Sequence, residues 1–160
     1  MAQAFDYKRG YNYALYLLGR QSYSKKALGD KLRSKGVNEA DAQHIVDKLL
    51  DYQLLDDERY AEQLVHSRKS TRGVRALRQD LYAKGIDEQI IDKTLSLLSQ
   101  DEQLLAAAKQ LEKIRWRLLK TDEGLGAKAR AKAFTHLTRK GFALDTIEAS
   151  LAQFFGDVED

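Results

Sequence analysis

Apolar positions in this chain fall at helical spacing, and they do so three times in the same order. Leu28-x-x-x-Leu32-x-x-Lys35-Gly36-Val37 returns as Leu77-x-x-x-Leu81-x-x-Lys84-Gly85-Ile86 and again as Ala133-x-x-x-Leu137-x-x-Lys140-Gly141-Phe142. The offsets continue, with Ala42, Val46 and Leu49 matching Ile91, Leu95 and Leu98, then Ile147, Leu151 and Phe154. Spacings of three and four put such residues on one helix face. Each copy therefore predicts a helix, a Lys-Gly stop and a second helix, and gap-free recurrence predicts a tandem array. The three glycines lie 49 and 56 residues apart. Arrays of this kind usually present an extended surface to a partner, which points to binding before catalysis.

The first repeat reads as a helix from about Tyr11 to Arg20 with Tyr11, Ala14, Leu15 and Leu18 on its inner face. A second helix, capped by Ser24, carries Ala27, Leu28 and Leu32 inward and stops at Gly36; a third follows, capped by Asn38 with Asp41 in its first turn. The second repeat opens near Leu55-Asp56-Asp57-Glu58-Arg59-Tyr60-Ala61 and ends on an Asp87-capped helix. The third opens on a long helix from about Asp101 to Lys120, passes a loop at 121–126 and closes on a helix ending near Phe155. The expected fold is all-α: a lead at 1–9, three-helix repeats at 10–56, 57–100 and 101–155, and an acidic tail at 156–160. Repeats this short bury too little surface to stand alone, so neighbours should lean on one another.

Composition agrees and narrows the function. The 160 residues contain no proline, which favours helix throughout, and no cysteine, which removes disulfides and thiol nucleophiles. The longest apolar run, Tyr13 to Leu18, is far short of a membrane span, and the first residues lack a signal-peptide core, so a cytoplasmic protein is expected. The net charge of +3 is unevenly spread: residues 37–62 sum to −6, residues 63–140 to +8, and residues 142–160 hold five acids and no Lys or Arg. That polarity suggests a basic face for a polyanion or an acidic protein surface.

The densest basic stretch is Arg68-Lys69-Ser70-Thr71-Arg72-Gly73-Val74-Arg75-Ala76-Leu77-Arg78. A helix starting near Gly73 turns Val74, Leu77 and Leu81 inward and leaves Arg75, Arg78 and Tyr82 as a neighbouring stripe. Guanidinium forks can grip phosphate or carboxylate in two bonds, and Tyr offers a stacking face. A second stripe comprises Lys113, Arg117 and Lys120, with Arg115 beside it and Trp116 read as a core anchor. In the Lys-Gly-apolar triplets the glycines end helices in the left-handed conformation, while Lys35, Lys84 and Lys140 suit the negative helix ends. Gly124-Leu-Gly126-Ala-Lys-Ala129 mimics a dinucleotide pattern without the strand it needs. His44, His66 and His136 lack metal-site spacing, and acid pairs such as Asp56-Asp57 and Asp87-Glu88 lie at helix starts. No enzyme, metal site or cofactor is expected.

Ser24-Lys-Lys-Ala-Leu28 through Lys35-Gly36, Leu55-Asp56-Asp57-Glu-Arg59-Tyr60-Ala61, Arg68, Gly73-Val-Arg75 and Leu81-x-x-Lys84-Gly85-Ile86 resemble the RecX family of recombination regulators over about residues 10–155. The third copy departs by carrying Ala133 where the others have Leu. The resemblance implies a curved array of three three-helix repeats that lies along the groove of the RecA filament on single-stranded DNA and restrains its activities. It implies a bacterial, cytoplasmic modulator of recombination and the SOS response, with no cofactor and no membrane partner. The residues assigned to RecA or nucleic-acid binding are Arg68, Lys69, Arg72, Arg75, Arg78, Tyr82, Lys84, Lys113 and Arg117, in a monomer with weak direct DNA binding. Two alternatives stand beside this. One is a helix-turn-helix-like DNA binder, opposed by the acids of Asn38-Glu-Ala-Asp41 and Asp145-Thr-Ile-Glu148 where recognition helices would begin; the other is an adaptor for some other protein.

Overall fold

The computed structural model describes residues 6–120 and 126–156. Among them are nine helices and no strand: α1 Tyr7–Leu18, α2 Lys25–Ser34, α3 Glu39–Asp51, α4 Asp57–Arg68, α5 Val74–Ala83, α6 Glu88–Ser96, α7 Gln100–Leu119, α8 Ala127–Arg139 and α9 Leu144–Phe155. They form three-helix repeats. The chain divides into two compact lobes, residues up to 63 with 81–91, and residues 64–80 with those from 92 onward, so the middle repeat contributes to both. The loop expected at 121–126 and the tail at 156–160 lie almost wholly outside the described residues.

Most expected caps form. The Ser24 hydroxyl accepts the Ala27 amide and Asn38 Oδ1 accepts the Asp41 amide. Asp87 Oδ1 accepts the Gln89 amide just ahead of α6. The first helix is a correction: α1 starts at Tyr7, where the Asp6 side chain accepts the Arg9 amide, a turn before the expected Tyr11. Its inner face also differs. Gly10 and Ala14 are buried with Tyr7, Tyr11, Leu17 and Leu18 packed around that core, while Leu15 is 39% exposed. Leu15 turns outward because the inner face of α1 runs through Gly10, a glycine that a hydrophobic pattern does not count.

Gly36, Gly85 and Gly141 have φ of +91°, +71° and +79°. In each repeat the residue after the glycine sends its amide back to the carbonyl five residues earlier: Val37 to Leu32, Ile86 to Leu81, Phe142 to Leu137. This Schellman closure brings those apolar pairs together, which explains why the third member of each triplet is apolar and buried. The core of the first repeat is built from Ala14, Leu28, Leu32, Val37, Ile45 and Leu49; that of the third from Ala107, Leu111, Leu137, Phe142, Ile147 and Leu151.

Successive repeats join through one recurring junction. In the first lobe, the start of α2 meets the turn after α5: the Ser24 hydroxyl donates to the Lys84 carbonyl at 2.7 Å and the Lys25 amide donates to Asp57 Oδ1 at 2.8 Å. In the second lobe, the start of α5 meets the turn after α8: the Gly73 amide donates to the Lys140 carbonyl and the Arg75 amide to the Gly141 carbonyl, both at 2.9 Å. There the Val74 amide donates to Gln103 Oε1 at 2.9 Å. Asp57 and Gln103 hold one register, four residues before the fully buried Ala61 and Ala107. Amides at a helix start have no intrahelical partner, so each junction satisfies them with acceptor oxygens of the next repeat, the Asp57 carboxylate in the first lobe and backbone and Gln103 carbonyls in the second.

Burial raises the Asp57 carboxyl above its ordinary range, with the Lys25 amide offsetting part of the rise. Its charged form is thus disfavoured in the fold, and stability contributed below the unfolded-state value is lost as pH rises through the folded one. Asp57→Asn keeps the acceptor without the charge, as Gln103 does naturally. At pH 7 this variant should match or exceed the wild type, and its urea midpoint should lose the acidic-range slope. Asp57→Ala should cost about 1–3 kcal/mol. A steeper loss in the Asn variant than in the Ala variant would contradict the junction.

Candidate functional site

The basic stretch folds into the second lobe, where most of its charge is paired. Arg68 and Arg72 converge on Asp80, with Nη1 to carboxylate distances of 2.7 and 2.8 Å. The Asp80 side chain is only 17% exposed, so two guanidinium groups hold one half-sheltered carboxylate between the end of α4 and the middle of α5. Lys69 Nζ reaches Glu102 at 2.6 Å, and that bond, with the Ser99 amide, holds the Glu102 carboxyl below its ordinary range. Arg78 Nη2 reaches Asp92 at 2.6 Å. Exposed pairs such as this last contribute about 0–1 kcal/mol each, so they orient side chains more than they stabilise the fold.

Arg75 differs from its neighbours. Its backbone amide is held at the junction, and its exposed side chain makes no ion pair among the described residues. Arg75 and Arg78 are exposed on α5 while Leu77 and Leu81 are buried, as the periodicity required; Val74 is half-buried and meets Gln103 through its backbone amide. Tyr82 and Lys84 belong to the first lobe: Tyr82 is 74% exposed, and Lys84 gives its carbonyl to Ser24 while its side chain stays in solvent. Charge reversal at Arg72 would set a second acid group against Asp80, so neutral substitutions are the appropriate probes of this surface.

On α7, Lys113 is exposed and Arg117 lies over the Trp116 ring at 5.5 Å, with Lys120 over the same ring at 5.1 Å. Trp116 is a second correction: it is 56% exposed and serves as a platform for two cations, not as a core anchor. The inner face of α7 is filled instead by Ala107, Leu111, Ile114 and Leu118, which leaves position 116 outside. Arg117 also borders a cleft shared with Lys132, His136 and Arg139 of α8, residues that sequence reasoning did not gather. The signal was present as cations at 132 and 139 flanking His136 at spacings of four and three, but their alignment with α7 depends on packing.

Helical repeats with a cation-rich surface and an ordered set of inter-repeat junctions define a binding protein, and the family follows from comparison. Residues 11–49 match the first three-helix domain of RecX and residues 56–95 match the second. The regulatory protein RecX of Chlorobium phaeobacteroides is 33% identical over 94% of this chain and 96% of its own length. The crystal structure of RecX from Lactobacillus salivarius superposes with a TM-score of 0.81 at 30% identity, covering 92% of this chain and 95% of that one. This chain belongs to the RecX family, a family of regulatory proteins and not of enzymes. The regulatory protein RecX of Bacillus velezensis is 37% identical over 92% of this chain, which spans only 56% of that longer relative. No helix among the described residues is long and apolar enough to cross a membrane.

Proposed function

We propose that this chain binds the RecA filament assembled on single-stranded DNA and lowers its recombinase, ATPase and coprotease activities, so modulating recombination and the SOS response. The observation that carries the reading is the match to regulatory RecX proteins along nearly the whole of both partners. The basic surface supports it: Arg75, Lys113 and Arg117 are exposed cations suited to an acidic protein groove or to phosphate. The helix-turn-helix alternative is weakened by geometry as well as by sequence. The helices that would enter a groove begin with Glu39 and Asp41 in α3, Glu88 in α6 and Asp145 in α9, and phosphate repels all of them.

The test is co-sedimentation with RecA filaments on single-stranded DNA, together with ATP hydrolysis by RecA. Wild type should enter the pellet and lower hydrolysis while hydrolysing nothing itself. Arg75→Gln should weaken association by about two- to fivefold with an unchanged melting curve, as expected for one exposed cation of a screened interface. No effect of the intact chain on any RecA activity would favour the adaptor alternative.

A further inference from the structure

The α7–α8 cleft in the second lobe is an open groove of roughly 430 Å³, lined by Arg117, Lys132, His136 and Arg139 together with Ile114 and Leu118. Three full positive charges face it and no carboxylate lines it among the described residues. Elsewhere on this lobe the arginines at 68, 72, 78 and 115 are each paired with an acid, whereas Arg117, Lys132 and Arg139, like Arg75, have none among the described residues. Among the described residues the cleft's cations are therefore in surplus. Burial, then Lys140, Arg117 and Arg139, push the His136 ring below its ordinary range, so the imidazole registers the positive potential of its surroundings. Its buried Nε2 has no hydrogen-bond partner among the described residues.

Trp116 does not line the cleft, but Arg117, which does, lies over its exposed indole ring at 5.5 Å, as Lys120 does at 5.1 Å. A cationic cleft adjoining a solvent-facing aromatic ring is the chemistry of single-strand nucleic-acid binding, in which phosphates meet the cations and an unstacked base meets the ring. The geometry points to a single-stranded nucleic-acid site in the third repeat, with Arg117, Lys132 and Arg139 holding the phosphate backbone and Trp116 stacking a base. Duplexes fit it less well because their bases are already stacked. This deepens the filament reading by giving the chain its own grip on the strand, separate from any grip on the recombinase.

Trp116 is the chain's single tryptophan, so its fluorescence reports on this cleft without a label. The full chain is titrated at low salt with a single-stranded thymidine oligonucleotide longer than a site of roughly 4–16 nucleotides. Parallel titrations use a duplex of equal length and inorganic tripolyphosphate. Saturable quenching by the single strand is expected, weaker by at least about tenfold in the Arg117→Gln/Arg139→Gln double variant, with the log affinity against log salt slope shallower by about 0.7 per cation removed. If the double variant melts early, Lys132→Gln, an exposed substitution, carries the slope test alone. The site is overturned by absent quenching, by unchanged affinity and slope in folded variants, by a duplex that binds as tightly, or by tripolyphosphate acting where thymidine does not. A wild type that inhibits RecA filaments yet ignores naked thymidine sinks the cleft and spares the filament reading; one that binds thymidine through these residues without inhibiting RecA does the reverse.

Discussion

Replacing Gly141 by alanine lowers the unfolding free energy by about 3 kcal/mol or more, whereas the same change at Gly36 costs about 1–2 kcal/mol. Both residues end a helix with positive φ, so both variants carry the left-handed strain of an L residue. They differ in what surrounds them. A Cβ at Gly141 would stand 2.3 Å from Ala76 Cβ and 2.4 Å from the Ala76 amide nitrogen, at a junction whose backbone hydrogen bonds leave no slack. A Cβ at Gly36 would meet nothing within 4 Å. Gly85 falls between, because the atoms in its way belong to the Lys26 side chain, whose far end can swing aside though its Cβ, 2.8 Å distant, cannot. Urea midpoints for the three alanine variants measure the series directly. Equal losses at positions 36 and 141 would mean that the junction yields freely and that only the helix stop matters.

Deleting residues 1–56 should lower potency against the RecA filament by about 100-fold or more, because several modest contacts on one chain reinforce each other through effective concentration. The deletion also strips the first junction: Asp57 loses the Lys25 amide and the Lys84 carbonyl loses the Ser24 hydroxyl. The comparison is therefore made on fragment shown to be helical by circular dichroism, with Asp57→Asn introduced to remove the orphaned charge. Potency equal to that of the intact chain would exclude a spanning mode of inhibition.

Much of this architecture was legible in the residues. The Leu-x-x-x-Leu-x-x-Lys-Gly-apolar pattern set the ends of α2, α5 and α8, because a Schellman closure needs glycine at one position and an apolar residue at the next. Caps at Ser24, Asn38 and Asp87 were readable for the same local reason. What escaped were features created between elements. Ser24 reads as a cap, but its hydroxyl also serves the next repeat; Asp57 and Gln103 look unrelated until Ala61 and Ala107 set them in register. The basic stretch looked like a free surface because Asp80, Asp92 and Glu102, which neutralise much of it, lie up to 33 residues from their partners. Trp116 was misjudged because size suggests burial, while its position on α7 opposes the packed face.

The junction register also says which part of such a protein can be multiplied. A repeat that joins neighbours on both sides needs an acceptor at the position of Asp57 and free helix-start amides at the position of Gly73 and Val74, and the middle repeat has both. In the first repeat the acceptor position is Gly10, which has no side chain and is pressed against Val37 and Ile45. In the third, the counterparts of Gly73 and Val74 are Ala129 and Arg130, already within α8, and the Arg130 amide is taken by the Gly126 carbonyl. Tandem duplication of residues 57–100 would therefore recreate a complete joint at each new boundary, while duplicating either outer repeat would leave one half missing. Copying the centre would lengthen such a chain without redesigning its ends.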